Sequence, residues 1–277
     1  MNPLIAKFGK YVEQTVRTNP PKALALLKAA YRLSGWQMAY FPNKQLTPAQ
    51  KYLAVLCNQA IQQPLRNPER SAVISAFLPC HALHAMNILP QFTEALACYL
   101  NGAGCEQVFI EAAEKSGSPK SYCSYHKVLL GAALSGVLPK PRFVINTTLA
   151  CDANINTFRQ LAEYYNIPQF VIDVPNSCTE QAVNYVARQL EDMTAFIEDV
   201  IQKKLDPDKL KESVRLGNRA LSLYRSYLAE LPGKFLTGDL TSAMYNIFPT
   251  HVLSGTPQTL KYFQLLLEDV RKAPPVQ

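Results

Sequence analysis

From residue 71 onward, short apolar runs alternate with helical patterns, and few folds accept that order. Ala72 to Leu78 is an apolar run ended by Pro79, and a helical segment follows, broken near Pro90 and resuming through Phe92 to Leu100. Gln107 to Ile110 reads as the next strand and Ser124 to Ser135 as a helix. Phe143 to Thr147 is a β-prone run, Ile155 to Tyr165 a helix, and Phe170 to Val174 a strand ended by Pro175. Strands separated by helices pair in parallel and cover both faces of one sheet.

The expected fold class is therefore α/β: a mostly parallel, Rossmann- or flavodoxin-like sheet with flanking helices. A helical N-terminal region precedes it and a helical C-terminal extension follows. Residues 1–70 form the first part, with helical spacing over Leu4 to Val16, Pro21 to Ser34 and Pro48 to Gln62. Thr47 is the expected N-cap before Pro48, and Pro64, Asn67 and Pro68 are expected to form a linker. The α/β domain with its C-terminal helices covers 71–272. Those helices are Thr179 to Lys203, a segment from Asp208 to Leu228 opened by Pro207, Ala243 to Ile247, and Pro257 to Arg271. Residues 273–277 read as a linker to a second α/β domain.

Composition narrows the class. Of 277 residues, 48% are hydrophobic and 18% charged, the balance of a globular chain. No stretch approaches the roughly 18 apolar residues that span a bilayer. Met1 to Lys10 lacks an apolar signal region, so a cytoplasmic protein without a membrane partner is expected. The net charge of +7 is dispersed among acids, without a basic stripe interleaved with aromatics, which argues against nucleic acid as a partner. Seven cysteines without a compact framework suit packing, metal ligation or redox work in a reducing compartment.

Several common chemistries leave no trace. Gly102-Ala103-Gly104 ends a helix and lacks a third glycine, so it reads as a helix C-cap and not a dinucleotide loop. There is no Walker A string, nucleophile elbow or metalloprotease helix. His81 and His84 lie one helical turn apart with no third ligand beside them, which suits packing better than metal. Asn146-Thr147-Thr148 has the form of a glycosylation sequon but falls on an expected buried strand.

Cys123 and Cys151 remain. Each precedes a helical pattern, and each is read as following a strand-like run. A helix N-terminus favours negative charge on a thiol placed there. Their separation of 28 residues makes one crossover unit, so the two are expected to be neighbours at the carboxyl edge of the sheet. Two thiolates there suit a soft centre such as an iron–sulfur cluster, although both could instead pack under loops.

The ordered motifs resemble the iron–sulfur component of the 2-hydroxyacyl-CoA dehydratases, whose relatives include the benzoyl-CoA reductase subunits. They are Leu78-Pro79-Cys80-His81-Ala82-Leu83-His84-Ala85, then Cys123-Ser124-Tyr125-His126-Lys127 with Gly131 following. Next come Cys151-Asp152, Ile167-Pro168, Ile172-Asp173-Val174-Pro175 and, downstream, Asn218-Arg219. The likeness runs from about residue 20 to 272.

The resemblance implies a [4Fe–4S] cluster held on three cysteines, with Cys123 and Cys151 matching the first two. The third would come from the second α/β domain, and no cysteine follows Cys178 here, so a truncated chain is expected. It implies a complex of two related subunits that eliminates water from a 2-hydroxyacyl-CoA. One electron from an ATP-dependent activator protein turns the thioester into a ketyl radical. Cys80 or His81 could lie beside the cluster. Lys127 and Tyr125 are read as helix surface rather than as groups supporting it. The sequence departs from the family where His81 stands in place of a glutamate in a Pro-x-Glu string. That departure supports two other readings, an electron-relaying partner subunit or a binding or assembly module without a cluster. A simple redox thiol protein lacks the Cys-x-x-Cys it would need.

Overall fold

The computed structural model describes residues 3–149, 151–236 and 244–275. The chain divides into two compact units. One comprises Met1–Tyr31, Ile61–Leu78 and Leu89–Lys203, and the other Arg32–Ala60, Pro79–Ile88 and Lys204–Gln277.

The first unit holds a four-stranded, wholly parallel sheet in the order β2-β1-β3-β4. Its strands are β1 (Ser71–Ile74), β2 (Leu89–Phe92), β3 (Phe143–Thr147) and β4 (Gln169–Ile172). Every residue of β1 and β3 is buried, as expected of central strands covered on both faces, whereas β4 at one edge keeps Val171 exposed. The helices of this unit are α1 (Pro3–Thr18), the first half of α2 (Pro20–Tyr40) and the end of α3 (Pro48–Arg66). With them are α5 (Thr93–Gly102), α6 (Glu106–Lys115), α7 (Ser124–Leu134), α8 (Asp152–Tyr165) and α9 (Glu180–Ile201). The expected α/β class is what the chain adopts, with flanking helices around one parallel sheet.

Three local expectations are corrected. Gln107 to Ile110 is not a strand but part of α6. Glu106 and the run Glu111-Ala112-Ala113-Glu114-Lys115 are strong helix formers around it, and Val108, Phe109 and Ala113 supply one buried face. Cys123 therefore follows a helix and a loop, not a strand. Pro90 does not break a helix but lies in β2, which the sequence did not suggest. β2 is an edge strand, so the missing proline N–H leaves the ladder to β1 intact. Pro64 lies inside α3 and does not open the linker. Asn67 and a 3-10 turn, Pro68–Arg70, join α3 to β1.

Close helix packing fixes α7. A Cβ built on Gly131 would fall 1.8 Å from the Phe109 carbonyl oxygen, so the α6 backbone occupies the space that any side chain would need. Phe109, Leu129, Phe143 and Phe158, all of this unit, are sealed from solvent.

The second unit contains α4 (His81–Ala85), α10 (Pro207–Glu230), a π-helical turn (Phe248–Val252) and α11 (Pro257–Lys272), with the end of α2 and the start of α3. Thr47 caps α3 as expected. Its hydroxyl accepts from the Gln50 amide, and the Gln50 side chain accepts from the Thr47 amide. The Asp269 carboxylate accepts from the Ala49 amide, tying α11 to this cap. The expected helix at Ala243 to Ile247 begins on a residue outside the described ones. Among the described residues no helix is long and apolar enough to cross a membrane.

Candidate functional site

In a sheet ordered β2-β1-β3-β4 the chain reverses direction across the sheet between β1 and β3, and open α/β sheets bind ligands outside the carboxyl ends of the strands at such a point. Here Ser75 Oγ, just past β1, accepts from the Thr147 amide at the end of β3. The loop after β3 leads to Cys151, the N-cap of α8. Thr148 anchors that loop to the strand beside it. Its hydroxyl donates to the Asp173 carboxylate over 3.2 Å and accepts from the Val174 amide at 2.9 Å.

Cys123 is the N-cap of α7, which runs back toward β3 and so begins at the same edge. Neither cysteine side chain caps its helix, and both thiols are exposed. Two neighbours of Cys123 tie these helix starts together. The Tyr122 hydroxyl donates to the Ala153 carbonyl oxygen at 2.7 Å and, its one proton spent, accepts from Thr157 Oγ1 at 2.9 Å. His126 Nε2 lies 3.8 Å from Cys151 Sγ. Burial raises the Tyr122 phenol above its ordinary pKa. The Thr157 hydroxyl opposes that shift, and the Cys151 and Cys123 sulfurs add to it. Both sulfurs thus lie within electrostatic reach of one hydroxyl.

Further polar groups follow β2. The Glu94 carboxyl accepts from the Thr93 hydroxyl at 2.9 Å and from the Ala76 amide at 3.4 Å, and burial outweighs these bonds to raise its pKa. Cys98, one turn on, pairs with the Tyr125 hydroxyl. That bond and the Cys98 sulfur raise the Tyr125 phenol, with burial and Cys123 contributing less. Lys127, read from sequence as helix surface, is buried. Its ammonium bonds Glu114 Oε1 at 2.8 Å and the Lys120 carbonyl at 2.9 Å, a structural pairing. Tyr125 is exposed, as expected.

Cys80 and His81 belong to the second unit. Cys80 is fully buried and its thiol is pushed up by that burial. His81 occupies a cradle between two glycines: a Cβ on Gly217 would meet its Nε2, and one on Gly255 its Cδ2, each at 2.6 Å. Its Nε2 lies 3.4 Å from Ser254 Oγ. His84 Nε2 donates to the Val252 carbonyl at 2.8 Å. Burial holds His84 near a pKa of about 4, against the raising effect of Val252 and with some help from His81. Asn218 and Arg219 are exposed on α10.

A [4Fe–4S] cluster takes soft thiolate ligands. Two exposed thiols at adjoining helix starts fit part of that set, and among the described residues no third His, Cys, Asp or Glu joins them in a metal-binding group. Sequence reasoning overlooked Tyr122 and His126. Their signal was position: they flank Cys123, and an N3 side chain lies on the same helix face as the N-cap three residues before it.

Several known dehydratase alpha subunits are similar to this chain in sequence. The (R)-phenyllactyl-CoA dehydratase alpha subunit of Clostridium sporogenes is 25% identical over 191 residues, 64% of this chain and 46% of that protein. The (R)-2-hydroxyglutaryl-CoA dehydratase subunit alpha of Acidaminococcus fermentans is 26% identical over 142 residues, 49% of this chain and 29% of that protein. The lactoyl-CoA dehydratase subunit alpha of Anaerotignum propionicum is 28% identical over 191 residues, 59% of this chain and 45% of that protein. The chain spans less than half the length of these relatives. Residues 75–277, well over half of the sequence, match the family described as 2-hydroxyglutaryl-CoA dehydratase, D-component, and the chain belongs to that family.

Proposed function

We propose that this chain is the iron–sulfur part of a cytoplasmic 2-hydroxyacyl-CoA dehydratase-like complex, with Cys123 and Cys151 as two of the three cysteine ligands of a [4Fe–4S] cluster. The observation that carries this reading is the pair itself: two exposed thiols at the starts of α7 and α8, bound to one another's helices through Tyr122 and His126. The third ligand comes from outside the described residues. When bound, such a cluster supplies a Lewis-acidic iron and a one-electron store.

The chain's own residues prepare the ligands. Cys123 and Cys151 present deprotonatable sulfurs where helix N-termini favour negative charge. Tyr122 and Thr157 fix the distance between the two helix starts. Thr148 holds the Cys151 loop against the segment after β4. The substrate class is a 2-hydroxyacyl-CoA, the class named in the dehydratases this chain resembles. The reaction is loss of water after addition of one electron, delivered by an ATP-dependent activator protein, with a related dehydratase subunit as the standing partner.

A second reading, a binding or assembly module without a cluster, draws support from His81 in place of an acid and from the two-thiol set. Anaerobic purification of the full-length protein with its partner subunit, followed by iron and acid-labile sulfide analysis, separates the two. Iron and sulfide near four each per cluster, by the stoichiometry of [4Fe–4S], support the first reading. A complex free of iron with its thiols intact supports the second.

A further inference from the structure

The His126 imidazole lies against the Cys151 sulfur, with Nε2 3.8 Å from Sγ. His126 is the third residue of α7 and is 4% exposed, held by packing beneath the exposed helix start. Its ring lies 6.0 Å from the Tyr122 ring, centroid to centroid, so the two side chains flanking Cys123 lie near one another.

A sulfur that ligates metal is a thiolate and carries no proton. It can only accept a hydrogen bond. A neutral imidazole has one N–H and one bare nitrogen. The contact with a ligating Cys151 therefore selects the tautomer with the proton on Nε2, and the bond runs from Nε2–H to Sγ. Hydrogen bonds to cluster sulfurs withdraw charge from the cluster and are one of the levers that set its reduction potential.

We infer that His126 is a positioning residue of the cluster site, an N–H donor to the Cys151 thiolate that fixes its direction and raises the reduction potential of the bound cluster. The inference rests on the cluster reading above, and it extends that reading by assigning control of the cluster's reduction potential to a residue that is not a ligand. His126 also travels on the helix that Cys123 begins, so the same bond holds the two ligating sulfurs at a fixed span.

Two measurements test it. In the anaerobically purified complex, the cluster's midpoint potential is titrated for wild type, His126→Leu and His126→Gln, with iron content determined in each. The expected result is a negative shift for His126→Leu and recovery toward wild type for His126→Gln, which restores an N–H. A fully loaded His126→Leu variant with an unchanged potential would overturn the inference. Strong nitrogen hyperfine coupling from His126 in the wild-type cluster would also overturn it, because the residue would then be a ligand. The second measurement needs no cluster. The chain has four histidines, so the side-chain nitrogen resonances of the metal-free protein are few enough to assign. The His126 Nε2 resonance is expected to move in Cys151→Ala and to stay in Cys178→Ala. An unmoved resonance in Cys151→Ala overturns the contact. Wild-type complex devoid of iron counts against the cluster reading, whichever way the resonance behaves.

Discussion

The Tyr122 hydroxyl donates to the Ala153 carbonyl oxygen across 2.7 Å, joining the residue before Cys123 to the first turn of the helix that Cys151 begins. The partners lie thirty-one positions apart in sequence. The bond sets how far apart the two thiols stand, because each cysteine is the N-cap of the helix that one end of the bond touches.

Tyr122→Phe deletes that bond and the one from Thr157 while keeping the ring. A net loss of about 2 kcal/mol in folding stability is expected, roughly 1 kcal/mol for each intramolecular hydrogen bond. Urea unfolding of the two proteins checks it. In the complex, the same variant should hold its cluster less firmly, read as faster iron loss to a chelator.

Gly131→Ala tests the α6–α7 contact. A methyl group at this position collides with the Phe109 backbone, which cannot rotate away as a side chain could. The two helices must separate. A loss of roughly 3 kcal/mol or more is expected, at or above the upper end of ordinary overpacking. A stability within 0.5 kcal/mol of wild type, an ordinary surface-substitution effect, would contradict the helix spacing.

Lys127→Met removes a buried cation and leaves the Glu114 carboxylate, partly exposed, without its partner. The expected loss is about 2 kcal/mol, below that of a fully buried pair because Glu114 can turn to water. Adding Glu114→Gln to Lys127→Met should recover part of the loss, and a double-mutant cycle measures the coupling.

The acid limb of the stability curve should depend on His84. Burial lowers its folded-state pKa to about 4 from an ordinary 6.5, while the unfolded chain keeps the ordinary value. Between those values the unfolded state binds the extra proton. Stability is therefore full above about pH 6.5 and falls as the pH drops toward 4, by on the order of 3 kcal/mol in total. Burial lowers His81, His126 and His251 in the same direction. Glu94 works oppositely: its raised pKa gives stability at low pH that fades as pH climbs through the folded-state value. His84→Gln should flatten the limb between pH 6.5 and 4 in thermal or urea unfolding. An acid limb as steep as wild type would contradict the assignment.

Much of the α/β frame was legible. Phe143 to Thr147 matched β3, the helix expected from Thr179 is α9, with the Thr179 hydroxyl accepting from Ala182 as its N-cap, and Pro207 opens α10 as expected. These signals are local, made by β-prone runs, caps and first-turn prolines. Gln107 to Ile110 misled because three β-prone residues in a row, Val108, Phe109 and Ile110, outweighed the glutamates and alanines around them. Pro90 misled because whether a proline breaks an element depends on whether its strand ends up at an edge, which only the assembled sheet decides. The two cysteines were recognisable as helix starts. The ties that bring them together were not, since Tyr122 finds Ala153 and His126 finds Cys151 only through the packing of α7 against α8. Lys127 looked like surface for the same reason, its partner Glu114 lying on another helix.

Cys123 and Cys151 are the proposed cluster ligands, and single-cysteine variants of the anaerobically isolated complex test that role most directly. Iron content and the charge-transfer absorbance of the cluster are measured in Cys123→Ala, Cys151→Ala and Cys178→Ala, the last an exposed cysteine before α9. The first two should lose the cluster and the third should match wild type. Wild-type iron and absorbance in either of the first two variants would contradict the account.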